Sequence, residues 1–429
     1  MTSSLHKKLL LSIGLVLLIS CKSKNENQLL IPEPSRLKKE INTSALNYDQ
    51  ILGALVGSAI GDAMGASTEM WNREEIYKTY GYISTLTPTI RIQSPEGTWD
   101  HNLPAGSSTD DTRWKLLMLN YFENFKPNAL NFSTFINSYY EKSLELLKQK
   151  SYSSSIDDIE HPIEQIDWIK EWARVSRAYI KGPEEYTLAK DRFYGGEMSC
   201  AGMLYSSTLA LVSNSADEAY IKAYQHALFD QGYAKDISGL VSSLSFNAFR
   251  IHSADSLLNS LYFIDPMRFQ DSRLVGRIAQ DILLNTKNNA RNARLQEIPS
   301  TGSAAYQSLI RSIPKNYHYE LKDWIIQKEM YRFLDTNQRA IAFHAAEIWQ
   351  ILIASLAFAE GDFNKGVEFA VNYGRDNDTV AAITGFVLGA QIGFDRLDES
   401  LKQQVLDTHK NVLGIDLEAM AKRYAELLK

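Results

Sequence analysis

Gly53, Gly57, Gly61 and Gly65 recur every four residues, and Gly385, Gly389 and Gly393 do the same near the other end of the 429-residue chain. Residues four apart share one face of a helix. Glycine inside a helix costs about 1 kcal/mol against alanine. A row of them is kept only where something must approach very closely. Both stretches therefore read as helices lining a crowded centre, and their small residues let the two pack on each other. Ile51, Leu52, Leu55, Val56 and Ala59 give the first an apolar face. The second is expected to start near Asp378 and run through Val387.

Acidic residues open that second helix, in the run Gly374-Arg375-Asp376-Asn377-Asp378-Thr379. Another stretch has the same design. Ser107-Ser108-Thr109-Asp110-Asp111-Thr112 follows the turn Pro104-Ala105-Gly106 and precedes the apolar-periodic Trp114, Leu116, Leu117 and Leu119. An Asp pair at a helix start commonly does no more than cap it and complement its dipole. Two such clusters, each with an adjacent Thr and far apart in sequence, point to convergence on a hard cation. Mg²⁺ takes carboxylates, hydroxyls and water at roughly 2.0–2.1 Å.

The composition is that of a globular protein, 45% hydrophobic and 22% charged. The net charge of −6 and the lack of any Lys/Arg run interleaved with aromatics exclude a nucleic-acid binder. Lys7 and Lys8 precede the apolar run Leu9–Ile19, which is too short to span a bilayer and reads as a signal-peptide core. It ends in Leu18-Ile19-Ser20-Cys21, which resembles a bacterial lipobox. Residues 1–20 are then a lipoprotein signal peptide. Cys21 is lipidated, and the chain is a lipid-anchored protein of the bacterial cell envelope, periplasmic or in the outer membrane. Residues 21–47, polar and carrying Pro32 and Pro34, read as a flexible tether. Cys200 would be the one remaining cysteine, a small buried residue with no intrachain disulfide partner.

Residues 48–429 read as one all-α domain. Helical patterns cover Leu116–Phe125, Phe132–Gln149, Ile163–Ile180, Ala216–Asp230 and Gly239–Arg250. Phe343–Glu360 reads as a central helix with a thin polar face, and His344 at its start as a hydrogen-bonded core residue. Gly81–Gly106 and the polar Asn285–Ser303 read as loops. No strand–helix alternation or hairpin spacing occurs.

Three motifs in order carry a resemblance. They are Gly57-x3-Gly61-Asp62-Ala63-x-Gly65-x3-Glu69, then Thr109-Asp110-Asp111-Thr112, then Gly374-x-Asp376-x-Asp378-Thr379-x-Ala381-Ala382-Ile383-x-Gly385. Together they resemble the signature of the ADP-ribosylglycohydrolases, over roughly Tyr48 to Phe394. The resemblance implies a compact all-α fold around a two-magnesium site, with Mn²⁺ as a substitute. It implies Thr109, Asp110, Asp111, Asp376, Asp378 and Thr379 as ligands, and Glu69 and Asp110 as catalytic residues, Glu69 beside the scissile ribose. Asp is short, charged and acceptor-only, which suits bridging positions, and four carboxylates balance two divalent ions. The implied reaction is hydrolysis at the anomeric carbon of an ADP-ribosyl or related ribosyl or glycosyl substrate, small or protein-linked. Glycoside cleavage passes through an oxocarbenium-like state that carboxylates or metal-bound water serve.

The middle of the chain departs from the family pattern. Gly195-Gly196-Glu197-Met198-Ser199-Cys200 keeps the glycines and Met of a segment that holds ribose and phosphate in relatives, but lacks its Arg and Pro. Gly195, Gly196 and Met198 are the implied substrate-binding residues. Glu197 and Ser199 predict a pocket roomier or differently charged beside the metals. Two other classes use the same residues. One is a non-catalytic sugar- or nucleotide-binding lipoprotein on the same fold. The other is an aspartate-nucleophile phosphatase reading of Asp376-x-Asp378-Thr379, which requires that motif to follow a domain's first strand.

Overall fold

Small residues set the distance between the two helices at the centre of the molecule. A computed structural model describes residues 46–89, 103–150 and 168–428. It holds 18 α-helices and no strand among those residues. Six helices build and flank the central site: α1 (Tyr48–Gly65), α2 (Asp110–Asn124), α3 (Ile278–Arg294), α4 (Leu321–Asp335), α5 (Ala345–Ala359) and α6 (Asn377–Ile392). The described residues all belong to one compact unit, Glu33–Lys429. Cys21, the signal peptide and nearly all of the tether lie outside the described residues. No helix among the described residues is long and apolar enough to cross a membrane.

Helices α1 and α6 run antiparallel in near backbone contact. A methyl on Gly57 would stand 2.5 Å from the Gly385 carbonyl oxygen, and one on Gly385 2.0 Å from that of Gly57. Gly53 meets Gly389 in the same way, and Gly61 and Gly65 meet the backbones of Ala381 and Asp378. Fifteen residues of each helix are buried, Ile51–Gly65 and Asn377–Gln391. Gly393 has a different task. The helix stops at Ile392, and Gly393 ends it at φ 81°, its N–H bonded to the Gly389 oxygen. Gly385→Ala is expected to destabilise the fold by about 1–3 kcal/mol, at the upper end because backbone rather than a side chain must yield. Denaturant unfolding checks this, and an unchanged midpoint would show that the crossing is slack.

The close contact has a functional result. It carries the C-terminal end of α1, with Asp62 and the turn to Glu69, onto the N-terminal end of α6, with Asp376 and Asp378. Helix α2 starts at the same place. Helix α5 is buried along almost its whole length, as its thin polar face predicts, with His344 as its N-cap accepting the Ala346 N–H at 3.1 Å. The Asn285–Ser303 stretch differs from expectation. Its first ten residues, 285–294, are the second half of α3, not loop. Ala279, Leu283, Thr286, Ala290 and Ala293 are its buried residues, and this small apolar stripe outweighs the poor helix propensity of its asparagines.

Candidate active site

Helix α2 and helix α6 begin without side-chain caps, although each begins with acidic residues. No side chain caps either first turn from Thr109 or Asp376. Helices elsewhere in the chain are capped in the usual way, by Asn47, Asn72, Ser215, Asp362 and Asp398 among others. The first N–H groups of α2 are met from outside. Asp62 Oδ1 accepts the Thr109 N–H at 2.8 Å and the Thr109 hydroxyl at 2.9 Å. Its Oδ2 accepts the Thr112 N–H at 3.0 Å and the Thr112 hydroxyl at 2.7 Å. Asp62 is wholly buried and holds α2 against α1. Asp110 and Asp111 are thereby released from capping.

Backbone pairing fixes the loops that carry the other acids. The Met70 N–H donates to the Arg375 oxygen at 2.7 Å, and the Arg375 N–H to the Trp71 oxygen at 2.8 Å. This joins the Glu69 turn to the Asp376 turn. The Asn377 amide also donates to the Thr68 hydroxyl at 2.9 Å. On the far wall, the Cys200 N–H donates to the Phe343 oxygen and the Ala345 N–H to the Met198 oxygen, pinning 198–200 to the start of α5.

These elements enclose a cavity lined by Glu69, Asp110, Asp376, Asp378 and Thr379 on one side and by Trp172, Tyr194, Leu204 and Phe343 on the other. Glu69, Asp376 and Asp378 each place a carboxylate oxygen within 4.8 Å of the others, so together they can hold a metal ion. Asp376 and Asp378 are buried and Glu69 half-buried. Burial pushes the Asp376 carboxyl up to about 6, Glu69 adds to the rise, and side-chain hydrogen bonding with Asp378, Thr379 and Cys200 opposes it.

Asp111 and Thr109 lie behind this surface rather than on it. Asp111 Oδ2 accepts the Thr379 hydroxyl at 3.0 Å, tying the two acidic clusters together. Burial raises the Asp111 carboxyl, while Lys115, 3.8 Å away, opposes the rise. That ammonium is itself buried and donates to the Asp111 carbonyl oxygen at 2.8 Å. Sequence reasoning placed no role on Asp62 or Lys115, and it read Cys200 only as a small buried residue. The structure puts the Cys200 sulfur 3.6 Å from Asp376 Oδ2.

Gly195, Gly196 and Met198 do not line the cavity; Tyr194, Ser199, Cys200 and Ala201 do. Gly195 and Gly196 are exposed at φ 68° and 84°, turning the chain so that Tyr194 meets the pocket. The Met198 sulfur instead lies against Gly232. The cavity is small, about 20 Å³. That is space for about one water. Met70, Tyr194 and Arg375, at or beside the cavity, all have positive φ, a strained conformation that concentrates at functional sites.

An all-α fold whose helix starts gather carboxylates around one cavity defines a class before any comparison. The ADP-ribosylglycohydrolase family model matches residues 43–429, and the chain belongs to that family. A solved structure described as an ADP-ribosylglycohydrolase-related protein complex shares the fold, with a TM-score of 0.53 and 18% identity. The match covers 89% of this chain and 99% of that one. Among curated proteins, none matches this sequence. Family membership supports a hydrolase of the glycosidase kind. The phosphatase reading fails on context, because Asp376-x-Asp378 follows a helix and no strand exists among the described residues.

Proposed function

We propose that this protein is a metal-dependent glycohydrolase that cleaves the anomeric bond of an ADP-ribosyl or related ribosyl or glycosyl substrate. The observation that carries this reading is the meeting of Glu69, Asp376 and Asp378 within 4.8 Å, on a cavity shared with Asp110 and Thr379. The residues fit a hard divalent cation. Burial raises the Asp376 carboxyl and the nearby Glu69 charge adds to the rise; an oxygen-ligated cation offsets both the lost hydration and the repulsion. Asp110, Asp376, Asp378 and Thr379 would hold Mg²⁺, or Mn²⁺ in its place; Asp111 and Thr109, which lie behind the cavity, would have to turn toward it to complete a two-ion set. When bound, the metal supplies a grip on sugar hydroxyls and a more acidic water.

The chain's own groups do the rest. Glu69 is less buried than Asp110, Asp376 and Asp378, so it faces the entering sugar and takes the proton of the attacking water. The carboxylates lower the energy of positive charge developing at the anomeric carbon. Trp172, Tyr194 and Phe343 exclude bulk water and offer flat faces to a ring. A sugar ring needs more space than the cavity holds, so one wall must move; Tyr194, carried by the exposed turn that Gly195 and Gly196 make, is the wall placed to move.

Turnover of free and protein-linked ADP-ribosyl compounds and simple ribosides, with and without added Mg²⁺, tests the proposal. Activity should require the metal and vanish with a chelator. Glu69→Gln should lower kcat by about 10²–10⁴-fold, the usual worth of a positioned acid or base. Hydrolysis unaffected by chelation would refute it. The lipobox-like Leu-Ile-Ser-Cys supports anchoring of the chain to the cell envelope through Cys21. Because one acyl chain binds only marginally, multiple acylation is expected. Wild type should fractionate with membranes and Cys21→Ser should not; equal solubility of the two would remove the anchor.

A further inference from the structure

Helix α3 carries a second feature that neither packing nor the active site explains. Asn285, Asn288, Asn289 and Asn292 stand at i, i+3, i+4 and i+7, which puts them on one face. None of the four side chains makes a hydrogen bond to another described residue, and three of the four are exposed. Asparagine is a poor helix former. Four on one face weaken the helix and give the fold nothing in return, so their use lies elsewhere.

The face opens onto a groove of about 450 Å³, walled by α3, by Phe333 near the end of α4 and by Gln350 of α5. That size lies within the roughly 300–1,000 Å³ of small-molecule sites. Asn337 and Gln350 bring the carboxamides lining it to six of eleven residues. Gln350 is an independent sign of a ligand. Its side chain is only 7% exposed, lines the groove, and has no hydrogen-bond partner among the described residues. Its polar atoms open to the groove, where a ligand's hydroxyls can replace water.

The chemistry of the lining selects the ligand. Each carboxamide offers two donors and one acceptor without charge, which matches hydroxyl groups that both give and take a hydrogen bond. Phe333 offers an apolar face. Asp281 and Arg339, one of each sign, leave the groove without net charge, so it is not built for phosphate or for an acidic polymer. The repeat of amides along successive turns suits a chain of like units more than a single small molecule. We infer that the groove beside α3 is a binding site for a neutral, hydroxyl-rich carbohydrate chain.

The groove also adjoins the catalytic wall. Arg339 lines it, the Arg339 carbonyl accepts from Arg375 at 2.9 Å, and Arg375 precedes Asp376. The groove and the catalytic cavity share no lining residue, so binding in the groove stands apart from any hydrolysis.

Titration calorimetry with neutral hexasaccharides (chitohexaose, cellohexaose and maltohexaose) tests the inference. An uncharged extended peptide and an anionic oligogalacturonate serve as competing classes. Wild type should bind at least one neutral hexasaccharide saturably. The triple variant Asn285→Ala/Asn289→Ala/Asn292→Ala, and separately Gln350→Leu, should weaken that binding about tenfold or more while melting no lower than wild type. Asp378→Asn should bind the sugar as wild type does, which separates this site from the catalytic one. Failure of all three sugars to bind overturns the inference. So does binding that the variants leave unchanged, or preference for the peptide or the anionic chain.

Discussion

Asp378→Asn leaves a folded protein whose hydrolysis falls by about 10²–10³-fold, the usual cost of losing one preorganised electrostatic group. The bland account of an Asp at a helix start predicts something else: a lost cap, worth about 0.5–2 kcal/mol of stability, with chemistry untouched. The structure already separates the two accounts: the N-cap Asp376 makes no cap bond, and the one first-turn N–H that Asp378 accepts, from Thr379 at 3.0 Å, can still be met by the amide oxygen of Asn. Removing one charge from the Glu69, Asp376 and Asp378 cluster relieves repulsion in the metal-free protein, so Asp378→Asn should melt no lower than wild type in a chelator. With metal added the order reverses. A ligand at 100 times its dissociation constant stabilises by about 2.7 kcal/mol, and only wild type should gain it. Asp110→Asn should behave alike, since Asp110 lines the same cavity. The double variant should cost little more than either single one, because groups acting as a unit are not additive. Thermal melts with and without Mg²⁺, beside turnover, check these statements.

Asp62→Ala should damage the fold and the activity together. Its carboxylate accepts four hydrogen bonds from Thr109 and Thr112, all buried. Alanine leaves two N–H groups and two hydroxyls without an acceptor. Each unmet buried donor costs about 1–3 kcal/mol, so a loss of several kcal/mol is expected. The start of α2 would then shift, and Asp110 with it. Denaturant unfolding and turnover measure the two effects. A variant as stable as wild type would mean that water takes over the accepting role assigned to Asp62.

The elements that were legible in the sequence are those with short-range rules. Four-residue glycine spacing identified α1 and α6 and their mutual contact, because only helices convert that period into a face. Paired Asp after a turn identified the starts of α2 and α6. What the sequence hid depends on partners brought from a distance. Asp62 sits in the last turn of α1, within an apolar run, and nothing local says that Thr109, 47 residues on, will bond to it. Lys115 falls on the apolar side of α2, and only the buried Asp111 beside it explains that place. Asn285–Arg294 looked like loop because asparagine favours turns, whereas packing of Ala290 and Ala293 decides the matter. The cavity walls from Trp172, Tyr194 and Phe343 come from three separate segments and leave no common signal.

The central claim is that the two acidic clusters form one divalent-cation site. Calorimetric titration of Mg²⁺ into chelator-stripped wild type, Asp110→Asn and Asp378→Asn tests it most directly. Saturable binding of two ions by wild type, with loss of at least one in each variant, is the predicted result. No binding by wild type, or two ions bound undiminished by either variant, would contradict the site and the metal-dependent hydrolysis built on it.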